Sequence, residues 1–141
     1  MQPHLFDIDT VLLTNRTVIR RFREGDGAGF FELLQDNSAV LSDEFAALLE
    51  EAGDKERAEA YVRRSLSDWL LHRHFIFGMW DNKSAKQIGL LGLLHPDWSV
   101  PKAELTCFIH RDYNRKGIMT DCLTALLRFG FQQMLLEKIY V

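Results

Sequence analysis

Apolar positions in this chain follow two periods, short runs rich in β-branched and aromatic residues and longer stretches with apolar side chains every three or four places. The run at residues 17–22, Thr-Val-Ile-Arg-Arg-Phe, predicts a first strand, preceded by an unpatterned arm over residues 1–13. Turn chemistry at 23–27 closes it, and Asp26 is placed to cap a helix through Gln35 whose apolar face is Phe30, Phe31, Leu33 and Leu34. Phe45, Leu48 and Leu49 predict a short helix within 43–52, ended by Gly53. Asp54 then caps a longer one reaching about His72, with Ala58, Val62, Leu66, Trp69 and Leu70 on its buried side.

Residues 75–80 and 87–94 read as two strands joined by the polar turn 81–86, a hairpin signal. Pro96 and Pro101 bracket a loop carrying Trp98. A further strand follows at 104–109, then a helix with Met119, Leu123, Leu126, Leu127, Gly130 and Met134 at helical spacing, then a last strand at 137–141. A strand, helix, strand sequence of this kind places the last strand parallel to the 104–109 strand.

The link between strand 104–109 and its helix, Tyr113-Asn114-Arg115-Lys116-Gly117-Ile118-Met119-Thr120, is the stretch that carries chemistry. A strand entering a helix through a glycine turn aims several unpaired N–H groups at one point, where the helix dipole adds partial positive charge. Such a point suits a phosphate. Lys102, Arg111, Arg115 and Lys116 flank it. A glycine before a helix is common, so the reading rests on strand, basic turn and helix occurring together.

Composition narrows the classes. The 141 residues, 47% hydrophobic and 26% charged, suit one globular domain over 1–141. A net charge of −3 argues against nucleic acid or an acidic membrane as partner. No apolar run approaches the roughly 18 residues of a membrane span. Cys107 and Cys122 show neither metal spacing nor a disulfide framework, which fits a reduced, cytoplasmic protein. His72 and His74 lack a third ligand at a recognisable spacing, so no metal is expected; His95 and His110 read as loop or surface histidines. Trp69 and Trp80 read as core, and Trp98 is a candidate for lining an acceptor site.

The turn resembles motif A of the GNAT superfamily of acetyl-CoA-dependent N-acyltransferases, Q/R-x-x-G-x-G/A, with Gly117 as the central glycine. Asn114 stands at the Q/R position and Met119 at the final G/A position, so two signature positions depart from the pattern. Residues 115–123, Arg-Lys-Gly-Ile-Met-Thr-Asp-Cys-Leu, are similar to the GKGIMTEAL form of the ribosomal-protein N-terminal acetyltransferase (Rim-type) branch. Residues 14–22 resemble that branch's TERLxLRxF opening.

The resemblance implies an α/β fold of GNAT type, its mixed sheet lacking the final helix and closing strands. Truncation, completion by a partner chain such as a homo-oligomer, or a sequence diverged beyond recognition would each account for that. It implies acetyl transfer from acetyl-CoA to a primary amine, a small molecule or a protein N-terminus, without metal. The Cys107 N–H would reach the acetyl oxygen, and Phe108 and Ile109 would run beside the pantetheine. The diphosphate would rest among Asn114, Arg115, Lys116, Gly117, Ile118, Met119 and Thr120. Glu104 is the candidate general base. The thiol-protonating Tyr or Ser of the family falls on a helix beyond the last strand. The rival readings are a non-catalytic acyl-CoA-binding or assembly module and a small-molecule amine (polyamine or antibiotic) acetyltransferase.

Overall fold

The computed structural model describes residues 10–114 and 116–141. Six strands, β1 (Val11–Leu13), β2 (Thr17–Arg21), β3 (His74–Asp81), β4 (Gln87–Asp97), β5 (Lys102–Ile109) and β6 (Lys138–Tyr140), lie side by side in chain order. Neighbours are antiparallel except β5 and β6, which run parallel. The parallel pair has α5 (Ile118–Arg128) between its strands in sequence, as the pattern required.

Side chains alternate across the sheet and build two cores. Phe75, Phe77, Met79, Leu91 and Leu93 join Ile118, Cys122 and Leu126 of α5 and Trp69. On the other face Ile76, Leu90 and Phe108 pack against Phe30, Leu33 and Leu34 of α1 (Gly27–Asp36) and Ala58 and Val62 of α4 (Lys55–Leu70). Two short helices, α2 (Ser38–Leu41) and α3 (Ala46–Glu51), connect α1 to α4 on that side.

Several expectations change. Residues 11–13 of the expected arm form β1 at the sheet edge, while residues 1–9 lie outside the described residues. A three-residue strand has too little pattern to be seen before its partner is in place. Pro96 lies inside β4 at a bulge between Leu94 and Asp97, a position where a missing donor costs no ladder bond, so the loop is confined to residues 98–101. Leu70 is exposed and Ser65 buried instead, because the buried face of α4 runs through Ala58, Val62, Ser65 and Trp69.

Asp26 occupies the N-cap of α1 without a side-chain cap bond; its carboxylate accepts from the Arg23 N–H at 2.7 Å and from Arg20 at 2.8 Å. Glu59 of α4 instead receives the N–H groups of Gly25 and Gly27, the latter at 2.8 Å. The bond from Gly25, with smaller help from Gly27 and Arg63, holds the Glu59 carboxyl below its usual range. The predicted long helix after Gly117 is α-helical only to Arg128, then widens into a π turn over Phe129–Gln133. There Gly130 lets β6 close in, since a Cβ would sit 2.8 Å from Ile139 Cδ1.

Candidate functional site

At the end of β5 the chain enters a 3-10 turn, Arg111–Tyr113, with His110 Nδ1 accepting the Asp112 N–H at 3.1 Å. Gly117 then adopts φ 74°, ψ 0°, a left-handed conformation that costs a residue with Cβ and is open to glycine. Nothing lies within 4 Å of where its Cβ would be, so the surface there is open. The Asp121 N–H is the first of α5 to find a helical carbonyl, that of Gly117 at 3.1 Å. Among the described residues the N–H groups of Gly117, Ile118, Met119 and Thr120 meet no backbone acceptor, and no side chain caps them. Four donors and the positive end of an eleven-residue helix therefore face one opening. Met119 lays its side chain against the α5-side core, leaving only its main chain at that opening.

Three distant elements hold the turn. The buried Asn37, just past α1, gives its amide to the Leu33 carbonyl and accepts the Arg111 N–H, both at 2.9 Å. The Tyr113 hydroxyl donates to Asp81 in the β3–β4 hairpin at 3.3 Å. Arg16 donates to the Lys116 carbonyl at 3.4 Å. Sequence reasoning missed Asn37, Asp81 and Arg16 in this role because each lies far along the chain from the turn it holds. Arg16, Asn82, Lys83, Tyr113, Lys116 and Ile118 line a cleft of about 530 Å³ against the start of α5. Asn114 is exposed and extended beside it, and Arg115 lies outside the described residues.

The edge of β5 supplies further main-chain donors. The Pro101 carbonyl accepts from Glu137 and Lys138 at the start of β6, whereas the His110 N–H goes to Ile88 of β4 at 2.7 Å. Main-chain groups alternate sides along a strand, so odd positions of β5 face β6 and even ones face β4. The β6 ladder spans only residues 102–104 of β5. The N–H groups of Cys107 and Ile109 consequently face an edge that carries no ladder among the described residues. Those of Phe108 are committed to β4, and its ring is buried against Phe45 at 5.0 Å between centroids.

The Cys107 thiol is half-buried, and burial, reinforced by the charge of Glu44, pushes it above its ordinary range. That disfavours the thiolate and leaves the main chain as the useful part of this residue. Glu104, paired with Leu94 and Tyr140, shares its face with Thr106. Thr106, Phe45, Leu48, Tyr61, Leu90 and Leu94 line an apolar cleft of about 240 Å³ under α3. Burial drives the Tyr61 hydroxyl up to about 12. Trp98 stands apart from this cleft, packed with Phe75 at 6.2 Å on the α5-side core.

The fold is shared with solved acetyltransferases. The ribosomal-protein-S5-alanine acetyltransferase from Vibrio fischeri superposes with a TM-score of 0.81 at 15% identity, over 93% of this chain and 72% of that one. The acetyltransferase from Salmonella typhimurium that modifies the N-terminal serine of ribosomal protein L7/L12 gives 0.76 at 14%, over 88% and 69%. The L7/L12 α-N-protein acetyltransferase RimL in complex with coenzyme A gives 0.77 at 13%, over 88% and 69%. The sequence profile described as the Acetyltransferase (GNAT) domain matches residues 16–141. With an open strand–glycine–helix turn at the place the family pattern requires and a match over nearly the whole chain, the protein belongs to the GNAT acetyltransferase domain family.

Proposed function

We propose that this domain transfers the acetyl group of acetyl-CoA directly to a primary amine, that of a protein N-terminus. The observation that carries the reading is the set of amides from Gly117 to Thr120, unpartnered among the described residues, at the mouth of α5. They would hold the diphosphate, with Lys116 and Lys83 supplying charge from the cleft wall. Coenzyme A in the RimL neighbour, and the ribosomal-protein alanine and N-terminal serine named for the two other neighbours, support the cofactor and the acceptor class.

Acetyl-CoA supplies an activated thioester. The Cys107 N–H donates to its carbonyl oxygen and stabilises the negative charge that gathers there as the amine nitrogen bonds to carbon. The carbon–sulfur bond then breaks, and the thiolate leaves with the electron pair. Glu104 takes the amine's proton, through water, from the face it shares with Thr106. The cleft under α3 receives the residue behind the amine. Two free cysteines accord with a reducing compartment, the cytoplasm.

Calorimetry with acetyl-CoA and with desulfo-CoA tests the cofactor, and mass spectrometry of peptides with N-terminal alanine or serine, beside a panel of small amines, tests the acceptor. Binding of both cofactors with acetylation of the peptides is expected. Absence of binding removes the reading; binding with no amine acetylated reduces the domain to a cofactor-binding module; acetylation of small amines alone moves the acceptor class.

A further inference from the structure

Two histidines that the sequence left without a role meet where the β3–β4 ladder ends. The last pair of that ladder is His74 with Leu94. The next N–H of β4, that of His95, donates to Nδ1 of the His74 ring at 3.2 Å, and the two imidazoles meet edge to face at 4.7 Å between centroids. A side chain thus stands where a further β3 carbonyl would have continued the pairing. Nδ1 accepts only while it carries no proton, so the bond selects the neutral ring with its hydrogen on Nε2.

An independent feature of the backbone meets this bond. His95 has φ 49°, the left-handed region that costs a residue with Cβ, and it lies in the bulge that interrupts the β4–β5 register between Leu94 and Asp97. Such a conformation persists only where its surroundings hold it, and the His74 ring holds the His95 main chain. Glu104 of β5 pairs with Leu94, so His74, Leu94 and Glu104 form one row across three strands at the brink of the bulge.

We propose that His74 is an acid-released latch: its neutral ring keeps the β4 bulge closed, and its protonation frees the bulge and loosens the adjoining Leu94–Glu104 pair. A proton on Nδ1 sets one N–H against another, so the bond that closes the bulge becomes a repulsion. Burial first, and then the charge of His95, hold the His74 imidazole below its ordinary range; Asp68 of α4 favours its proton, and Arg64 of α4 and Arg73 ahead of β3 oppose it. The unfolded chain therefore takes up this proton before the folded one as pH falls. The stability that the latch contributes is complete above the ordinary value of 6.5 and is lost as pH drops from there through the folded value. The latch does not rest on acetyl transfer, since it is built from β3 and β4 alone.

Amide and imidazole NMR spectra of the full chain, taken without acetyl-CoA from about pH 8 to about pH 4.5, test it. The amides of His95, Leu94 and Glu104 are expected to shift with the midpoint of the His74 ring. His95→Asn tolerates the left-handed conformation and removes the second ring, so the amide at position 95 should then follow His74 alone. In His74→Asn a side-chain carbonyl that does not titrate can replace Nδ1, so the bulge should stay closed and the acid loss of stability in urea melts should shrink. An amide at position 95 that ignores the His74 titration in the His95→Asn protein would overturn the proposal. So would Leu94 and Glu104 amides that stay still through that titration, or equal acid loss of stability in the wild type and His74→Asn.

Discussion

The side-chain carbonyl of Asn37 accepts the main-chain N–H of Arg111 at 2.9 Å, across 74 residues of sequence. One buried amide thus fixes where β5 hands the chain to the turn that carries Gly117, because the same side chain is anchored to the Leu33 carbonyl of α1. Asn37→Ala removes both bonds and leaves the Arg111 N–H without its acceptor. The expected result is a loss of about 1–3 kcal/mol in stability by urea unfolding, with a raised KM for acetyl-CoA. A variant that loses stability at unchanged KM would show that the turn holds its shape without this anchor.

Gly117→Val places a branched side chain at φ 74°, at a strain of about 1–3 kcal/mol, and fills the opening in front of the α5 amides. Acetyl-CoA affinity should fall by about tenfold or more in calorimetry. Gly117→Asn, which tolerates the left-handed conformation, separates strain from crowding: it should retain the fold and lose less affinity.

The Cys107 N–H faces the open edge of β5, so its removal should be tolerated structurally. Cys107→Pro is expected to fold and to lose about 100-fold in kcat, the scale of one oxyanion donor. Cys107→Ala retains the N–H and should keep nearly full activity. A large loss in the alanine variant would instead assign the sulfur a part in the reaction.

Glu104→Gln should lower kcat by about 100-fold at neutral pH. Proton removal by a carboxylate weakens on acidification as that carboxylate is protonated, whereas the glutamine variant would follow only the protonation of the amine itself. Matching pH–rate profiles for the two proteins would remove Glu104 from the mechanism.

At Gly27 α1 lies close against Glu59 of α4: a Cβ on Gly27 would lie 2.5 Å from Glu59 Cα. Gly27→Ala should destabilise by about 1–3 kcal/mol through overpacking. The Glu59 carboxyl is lowered in the folded state, chiefly by the Gly25 N–H, so its contribution is present above the ordinary value of 4.5 and is lost as pH falls through the folded value. Glu59→Gln should therefore be less stable than the wild type at pH 7, with the gap closing in acid, as urea melts across that range would show.

Much of this was legible in the chain. The apolar runs of the hairpin strands around a polar turn, the helical spacing from Met119 to Leu126 and the glycine before α5 are local signals, set by run length, by the period of 3.6 residues and by the steric freedom of one residue type. They determined the order of β2 to β6 with α1, α3, α4 and α5, the parallel pairing of β5 with β6 and the position of the glycine turn ahead of α5. Tertiary structure decided the rest. That Glu59 rather than Asp26 receives the N–H groups ahead of α1, that Asn37 holds Arg111, that Cys107 and Ile109 but not Phe108 face the open edge, and that Trp98 packs into the core all depend on which surfaces meet across long stretches of chain. Such contacts leave no period in the sequence, because packing and hydrogen-bond satisfaction are settled only once the sheet and its helices have closed on one another.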